Sequence, residues 1–378
     1  MATNNNDKTL NVPHLRFPEF NGEWEKKRIS EFCTLLKGTG ISKDQLSTNG
    51  NPCILYGELY TKYKAEIINE VLSCTELDAN TLVKSKVNDV IIPCSGETAI
   101  DIATARYVPF DDVLLGGDLN ILRSNKVNGS FLAYQLNGKR KYDIARVAQG
   151  VSVVHLYGEH LKNIVISLPV IEEQQKISRL LHLLDERIAT QNKIIEKLQS
   201  LIKGITILLT AKGKPNTTIA QCLECHSSTL QESEVSHSGL YKVFGANGLV
   251  GYTDMPQMNG DAILIIKDGS GVGTTSYAQG EFSVIGTLNY LTAISNYDLR
   301  YLYFVLSVFN FQSYKTGMAI PHIYFKDYGN AKIFCPPLSE QKRIANVLGK
   351  LESKLCLEQN ILASFNLQKR YLLGQMFI

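Results

Sequence analysis

Long hydrophobic runs are missing from this sequence. Its most apolar short stretch, Ile205 to Ala211, falls far short of the ~20 apolar residues a helix needs to cross a bilayer, so no membrane partner is expected. The opening segment, Met1 to Leu10, is polar and rich in asparagine, without the apolar core of a secretory signal. A cytoplasmic location follows as an expectation, and the eight cysteines are read as reduced thiols. A charge excess is missing too. Lys and Arg number 39 against 36 Asp and Glu, a formal net charge of +3. That excludes a polycation and leaves any nucleic-acid contact to local basic patches.

Signatures of chemistry are equally scarce. The Gly-Lys pairs at Lys139 and Lys350 are not followed by Ser or Thr, so there is no phosphate-binding loop of the Walker type. Pro336 and Pro337 are flanked by Cys335 and Leu338, without the polar and aromatic neighbours of an amino-methyltransferase motif. Glu25 and Lys27 have the spacing of a nuclease pair but no upstream acidic partner. Gly269, Gly271 and Gly273 follow an apolar run, yet Thr274 stands where a dinucleotide fingerprint needs its third glycine, and Tyr277 to Val284 reads as a strand where that motif needs a helix. Cys222, Cys225 and His226 have the spacing of a haem attachment site, and with His237 they could hold zinc; the first needs export, and the second lacks its other ligand pair. They are read as free thiols. No catalytic residue, no metal and no cofactor is expected.

What the sequence does contain is a duplication. Gly150, His155 and Tyr157 recur as Gly317, His322 and Tyr324. The match continues at the same spacing, without a gap, through Asn163 and Asn330, Pro169 and Pro336, Glu173 with Gln174 and Glu340 with Gln341, to Ile177 and Ile344. Weaker matches lie upstream, with Leu119 to Leu122 against Leu288 to Leu291 and Phe131, Leu132 against Tyr301, Leu302. Each half is one unit of roughly 165–170 residues, too few and too large for a solenoid.

Each half ends in a heptad-like stretch. Ile177, Leu181, Leu184, Ile188, Ile195 and Leu198 recur in steps of four and three, interrupted at Gln191. Ile344, Leu348, Leu351, Leu355 and Leu362 repeat the register, interrupted at the equivalent Glu358, and Lys369 occupies a later position of the same seam. Pro169 and Pro336 stand just before these stretches, and Glu172, Glu173 and Glu340 fall in their first turns, where they suit the helix dipole. The first helix, Ile171 to Leu209, should run about 58 Å at roughly 1.5 Å per residue. A chain of lobe, helix, lobe and helix closes on itself only if the helices run antiparallel.

The lobes themselves carry short apolar runs such as Asp89–Pro93 and Ala262–Ile266, bounded by Gly and Asn turns, with helices expected over Phe131–Leu136 and Arg300–Phe309. The expected fold is α+β: two tandem mixed α/β lobes, each followed by a long helix, the helices packing as an antiparallel coiled coil. The expected boundaries are 1–168, 169–211, 212–335 and 336–378.

Several segments are similar to those of one family. Leu15 to Phe20 with Gly22, Glu23 and Trp24, the Pro…Glu-Gln ending of each half, and Phe244 to Gly248 with Gly251 and Tyr252 resemble the specificity subunits of type I restriction–modification systems. The resemblance covers nearly the whole chain. It implies a non-catalytic subunit in which each lobe is a target-recognition domain for one half of a split double-stranded DNA site. It also implies helices that act as a spacer, two modification (methyltransferase) subunits docked around them, and restriction (nuclease and translocase) subunits joining these. A coiled-coil scaffold that binds proteins and not DNA is the alternative.

DNA-contact candidates are chosen on chemistry. Lys139, Arg140, Lys141 and Arg146 form the densest basic cluster; Lys62, Tyr63 and Lys64, then Lys84 and Lys86, and in the second lobe Lys242, Lys267 and Lys315 are further candidates for phosphate contact. Arg106 and Asn247 are candidates for base readout at turn tips. For the repeated His155 and His322 a packing or hydrogen-bonding role is preferred over DNA contact.

Overall fold

The two apolar runs become central strands. In the computed structural model, which describes residues 10–378, the contacts divide the chain into two units, Met1–Gln191 with Ile361–Ile378 and Asn192–Asn360. Most of the polar opening segment, residues 1–9, lies outside the described residues.

In the first unit β1 (Thr34–Lys37), β2 (Asp89–Pro93), β3 (Arg106–Val108) and β4 (Leu119–Arg123) form an antiparallel sheet in the order β1-β4-β2-β3. Successive side chains of a strand point to opposite faces. Val90, Ile92 and Leu122 enter a cluster with helix α1 (Gly129–Asn137), while Ile91, Leu119 and Ile121 enter another with Leu59, Ile68 and Val113. Both faces are covered, which is why Asp89–Pro93 is buried throughout and its sequence does not alternate. A second sheet joins Leu46–Ser47, Ser73–Thr75, Asn51–Ile54 and Leu114–Leu115 in that order. Helix α2 (Ile171–Thr210) follows.

The second unit repeats the plan. Its strands β5 (Leu223–Ser227), β6 (Ala262–Ile266), β7 (Thr275–Ala278) and β8 (Leu288–Ala293) pair as β5-β8-β6-β7, the order of the first sheet. Ile263, Ile265 and Leu291 face helix α3 (Leu299–Ser307), and Ala262, Leu264 and Ile266 face the other way, towards Phe282 and Val284. Its second sheet differs: Gly248–Thr253, Tyr241–Gly245, Glu281–Val284 and Met258–Asn259, built on a hairpin absent from the first lobe. Helix α4 (Leu338–Gln375) follows.

Each lobe is tied shut just before its long helix. Glu25–Arg28 pairs with Val165–Leu168, and Thr217–Thr218 with Lys332–Ile333. The repeated glutamines then lock lobe to helix. Gln174 Nε2 donates to the Pro169 carbonyl at 2.8 Å while its Oε1 accepts from Asn128 N, at the N-cap of α1. Gln341 does the same with Pro336 and with Asp298, the N-cap of α3. Both glutamines are buried, and both of their polar ends are satisfied.

The helices run antiparallel, as contacts inside each unit show. In the first, Lys369 of α4 reaches Asp185 of α2 at 2.6 Å, and Leu372 and Leu373 pack on the cluster holding Ile177 and Leu181. In the second, Ile205 and Leu209 of α2 pack on the cluster holding Ile344, Ala345 and Leu348 of α4. Among the seam positions Ile177, Leu181, Leu184, Ile195, Ile344 and Leu348 are buried, while Ile188, Leu198, Leu351, Leu355 and Leu362 are half-buried. Gln191 and Glu358 are buried as well. No helix among the described residues is long and apolar enough to cross a membrane.

Candidate nucleic-acid interface

The densest basic cluster sits on a turn and a short helix. Lys139 is exposed in the turn after α1; Arg140 caps the helix Lys141–Val147, with Lys141 in its first turn and Arg146 in its last. Arg146 is well exposed, 3.4 Å from Asp143. Arg140 is drawn inward, bonding Asp143 at 3.2 Å and the Ile378 carbonyl at 3.0 Å. With His160 and Asn163 these two arginines line an open cavity of about 370 Å³.

The other first-lobe candidates part company. Lys62 and Lys64 are exposed, Lys62 bonded to Glu58 at 2.6 Å and Lys64 to the Thr61 carbonyl at 3.0 Å. Tyr63 is buried, its hydroxyl accepting from Leu72 N. Arg106, expected at a turn tip, is instead buried in β3. Its guanidinium donates to the carbonyls of Leu59, Tyr63 and Ala105, and burial lowers its pKa against the pull of Glu66 and Asp185. A side chain so engaged holds β3 to the Glu58–Thr61 helix and presents nothing to a base edge.

Two cations that sequence inspection passed over complete a cleft. Arg123 and Lys126 join Lys86 around an open cavity of about 570 Å³ with Ser124 and Asn125. Arg123 is anchored by Asp89 through two bonds of 2.7 and 2.9 Å. The available signal was a basic turn at the end of the apolar strand Leu119–Arg123.

In the second lobe Asn247 lies exposed at the two-residue tip of the hairpin joining Tyr241–Gly245 to Gly248–Thr253, with Lys242 exposed on its first strand. Lys267 and Lys315 are half-buried and flank the repeated glycine loop: Lys267 N–H neighbours Thr287, its carbonyl accepts from Ile323 N, and Thr316 pairs with His322.

That loop has one geometry in both lobes. Gln149 pairs with His155 across Gly150, and Thr316 with His322 across Gly317. Both glycines have positive φ, +123° and +86°. A Cβ would fall 2.1 Å from the Val153 carbonyl oxygen in the first lobe and 2.3 Å from that of Ile320 in the second, so the turn closes only on glycine. His155 docks on Ser95 and His322 on Asp268, at matching places beyond the central strands, and His322 Nδ1 lies 2.7 Å from Asp268. Each histidine stacks on its tyrosine, Tyr157 or Tyr324, at 6.2 and 6.5 Å. The tips, Val151 and Met318, are fully in solvent.

The sequence matches the family described as type I restriction modification DNA specificity domain over residues 21–200 and again over 220–366. The chain belongs to that family. It is 28% identical over 201 residues to the type I restriction enzyme MjaVIII specificity subunit of Methanocaldococcus jannaschii, covering 53% of this chain and 44% of the relative. It is 33% identical over 218 residues to the putative MjaX specificity subunit of the same organism, covering 54% and 50%. The chain thus spans at most half the length of these curated relatives. In fold it is similar to the crystal structure of a type I restriction–modification system S subunit from M. genitalium, with a TM-score of 0.70 at 18% identity over 97% of this chain and 99% of that one. A chain from a study of complex assembly and conformational transition of the type I R-M system is more distant, with a TM-score of 0.55 at 17% identity over 94% and 97%.

The family's two matched segments correspond to the two lobes with most of their helices, so the two halves are copies of one domain. The Cys222, Cys225, His226 run is not one cluster. Cys222 lies against Cys335, whereas His226 bonds Thr292 at 3.0 Å and stacks on Tyr290 at 4.9 Å.

Proposed function

We propose that this chain is the DNA-sequence-specificity subunit of a type I restriction–modification complex and performs no chemistry itself. The lobes 1–168 and 212–335 are target-recognition domains, each reading one half of a split double-stranded DNA site. The segments 169–211 and 336–378 space them and carry the docking surface for two modification subunits, which the restriction subunits join. The chain acts in the cytoplasm and needs no cofactor. One observation carries this reading: the same sheet order and the same glycine loop occur twice, while the outer sheets differ. Duplicated frames with different surfaces suit a target made of two unlike halves, as half-sites mirror the symmetry of dimeric readers. Leu183, Leu201, Leu208, Leu357 and Leu367 stand exposed on the two long helices, apolar surface that a docked subunit would cover.

Exposed Lys62, Lys64, Lys86, Lys139, Arg146 and Lys242, with Lys141, Lys267 and Lys315, are the proposed phosphate contacts, Lys126 is added to them, and Asn247 is the proposed base reader. The test is coexpression with the cognate modification subunit and modified-base sequencing of the host genome. A split motif should appear only when this chain is present, and exchange of the second lobe should change one half of it. No motif from a stably assembled complex would favour a scaffold. Replacing both Lys139 and Arg146 by Ala should weaken DNA binding uniformly across sequences and reduce the salt slope by about one per lost contact.

A further inference from the structure

The two thiols that bracket the second lobe face each other. Cys222 ends the short helix Ile219–Cys222, and Cys335 lies between the strand Lys332–Ile333 and α4. Their Sγ atoms are 3.9 Å apart across 113 positions of sequence. The backbone around them is held: Thr217 pairs with Ile333, and Asn216 bonds both the carbonyl and the amide of Cys335 at 2.8 and 2.9 Å. The corresponding places in the first unit, at the end of the Ile29–Phe32 helix and of the Val165–Leu168 strand, are Phe32 and Leu168. The fold therefore needs no sulfur there.

Their surroundings make Cys222 the more acidic thiol of the pair. A hydrogen bond from Cys335 outweighs burial, and Thr217 and Tyr297 help it to pull the Cys222 thiol below its ordinary value, while Cys335 is pushed up as the partner that keeps its proton. Burial pushes Cys33, Cys53, Cys94 and Cys225 the other way. Cys335 also lines an open cavity of about 700 Å³ with Thr217, Tyr297 and Gln341, large enough to admit a small solute.

We propose that Cys222 and Cys335 form an oxidation site that hydrogen peroxide converts to an intramolecular disulfide. The Cys222 thiolate attacks one peroxide oxygen, the O–O bond breaks, and the sulfur becomes a sulfenic acid as hydroxide leaves and takes up the proton Cys222 had lost. The Cys335 sulfur then attacks the Cys222 sulfur; the S–O bond breaks and the hydroxyl leaves as water with the Cys335 proton. Two electrons pass from the sulfurs to the peroxide, yielding two waters. The sulfurs must close from 3.9 Å to about 2.0 Å. The product staples the first helix of the second lobe to the segment entering α4, closing a long loop that restricts the unfolded chain.

The test uses the full chain, purified reduced and treated with rising hydrogen peroxide, then blocked with N-ethylmaleimide and mapped as unreduced peptides. The expected result is a Cys222–Cys335 cross-link, loss of two free thiols per chain, a higher melting midpoint, and reversal of all three by dithiothreitol. Cys335→Ser should leave Cys222 as a sulfenic acid captured by dimedone, with no cross-link. The proposal is overturned if exposed Cys356 oxidises fully while the Cys222 and Cys335 peptides stay unlinked, or if Cys222 is found linked to Cys225 or to another chain.

Discussion

The two lobe–helix junctions differ less in their hydrogen bonds than in their charges. Gln174 and Gln341 make the same pair of bonds, to a proline carbonyl and to the N-cap of the preceding lobe helix. The glutamates beside them do not. Glu173 is fully buried and held by Arg16 through two bonds of 2.8 Å, whereas Glu340 is partly exposed and bonds only its helix neighbour Arg343. Arg16 also binds the carbonyls of Gly22 and Asn21. The segment Leu15 to Phe20 is thereby clamped to the first junction. A duplicated frame keeps the bonds that set its geometry, and each copy adds its own ionic contacts.

The largest expected difference between units comes from Lys369. It sits between two buried carboxylates, Glu66 at 2.5 Å and Asp185 at 2.6 Å, and Tyr134 donates to Asp185 at 2.7 Å. Burial opposes the charge on Lys369, but the two carboxylates outweigh it and raise its pKa. Burial, then Glu66, raises Asp185. Lys369→Met should destabilise the first unit by about 4 kcal/mol, because two buried carboxylates are left without their cation. Adding Glu66→Gln and Asp185→Asn should restore most of it. The sign with pH follows from linkage: Asp185, held above its unfolded pKa, stabilises the fold only while protonated. The single variant should therefore be most stable at acid pH and lose stability as the pH rises from the ordinary carboxylate range. Urea melts from pH 4 to 8, with hydrogen exchange to assign the unit, would check this; equal loss in both units would refute it.

Arg16→Ala should come next, at about 3 kcal/mol in the first unit, for the same reason: Glu173 would be stranded. Arg343→Ala, the counterpart on the second helix, should leave the melting midpoint unchanged, since its pair is exposed and screened. Finding the two equal would erase the contrast between the junctions.

Much of the frame was legible in the sequence. Val90–Ile92 and Ala262–Ile266 read as strands because strands covered on both faces carry unbroken apolar runs. The first long helix ends at Thr210, one residue past expectation. The lobe helices begin earlier than expected, at Gly129 and Leu299, because Asn128 and Asp298 cap them by accepting from Phe131 N and Tyr301 N. What stayed hidden depends on distant partners. Heptad spacing put Lys369 on the seam but could not name Glu66, 303 positions away. Arg106 and Tyr63 read as surface residues, and only the approach of β3 to the Glu58–Thr61 helix takes them inside. The cleft around Lys86, Arg123 and Lys126 likewise joins segments that composition does not connect.

The shared features should respond alike in both units. Gln174→Leu and Gln341→Leu should each cost about 2 kcal/mol, because each leaves a lobe-helix amide and a proline carbonyl without partners in a buried place. Separate thermal melts of the two variants test this equality, and a difference above about 1 kcal/mol would mean that the junctions are not equivalent.

Gly150→Ala and Gly317→Ala should cost about as much, roughly 2 kcal/mol each, because an alanine there is held at positive φ with its Cβ against a backbone carbonyl oxygen. Their effect on recognition is sharper than their effect on stability. On the proposed function, a feature shared by two lobes that read different halves cannot encode the difference between those halves. Either substitution should therefore weaken DNA binding by a similar factor, whichever lobe carries it, and leave the methylated sequence unchanged. Binding isotherms at fixed salt, set beside modified-base sequencing, separate the two effects. A change of one half-motif on substituting Gly150 or Gly317 would move the loop from the common frame into the reading surface.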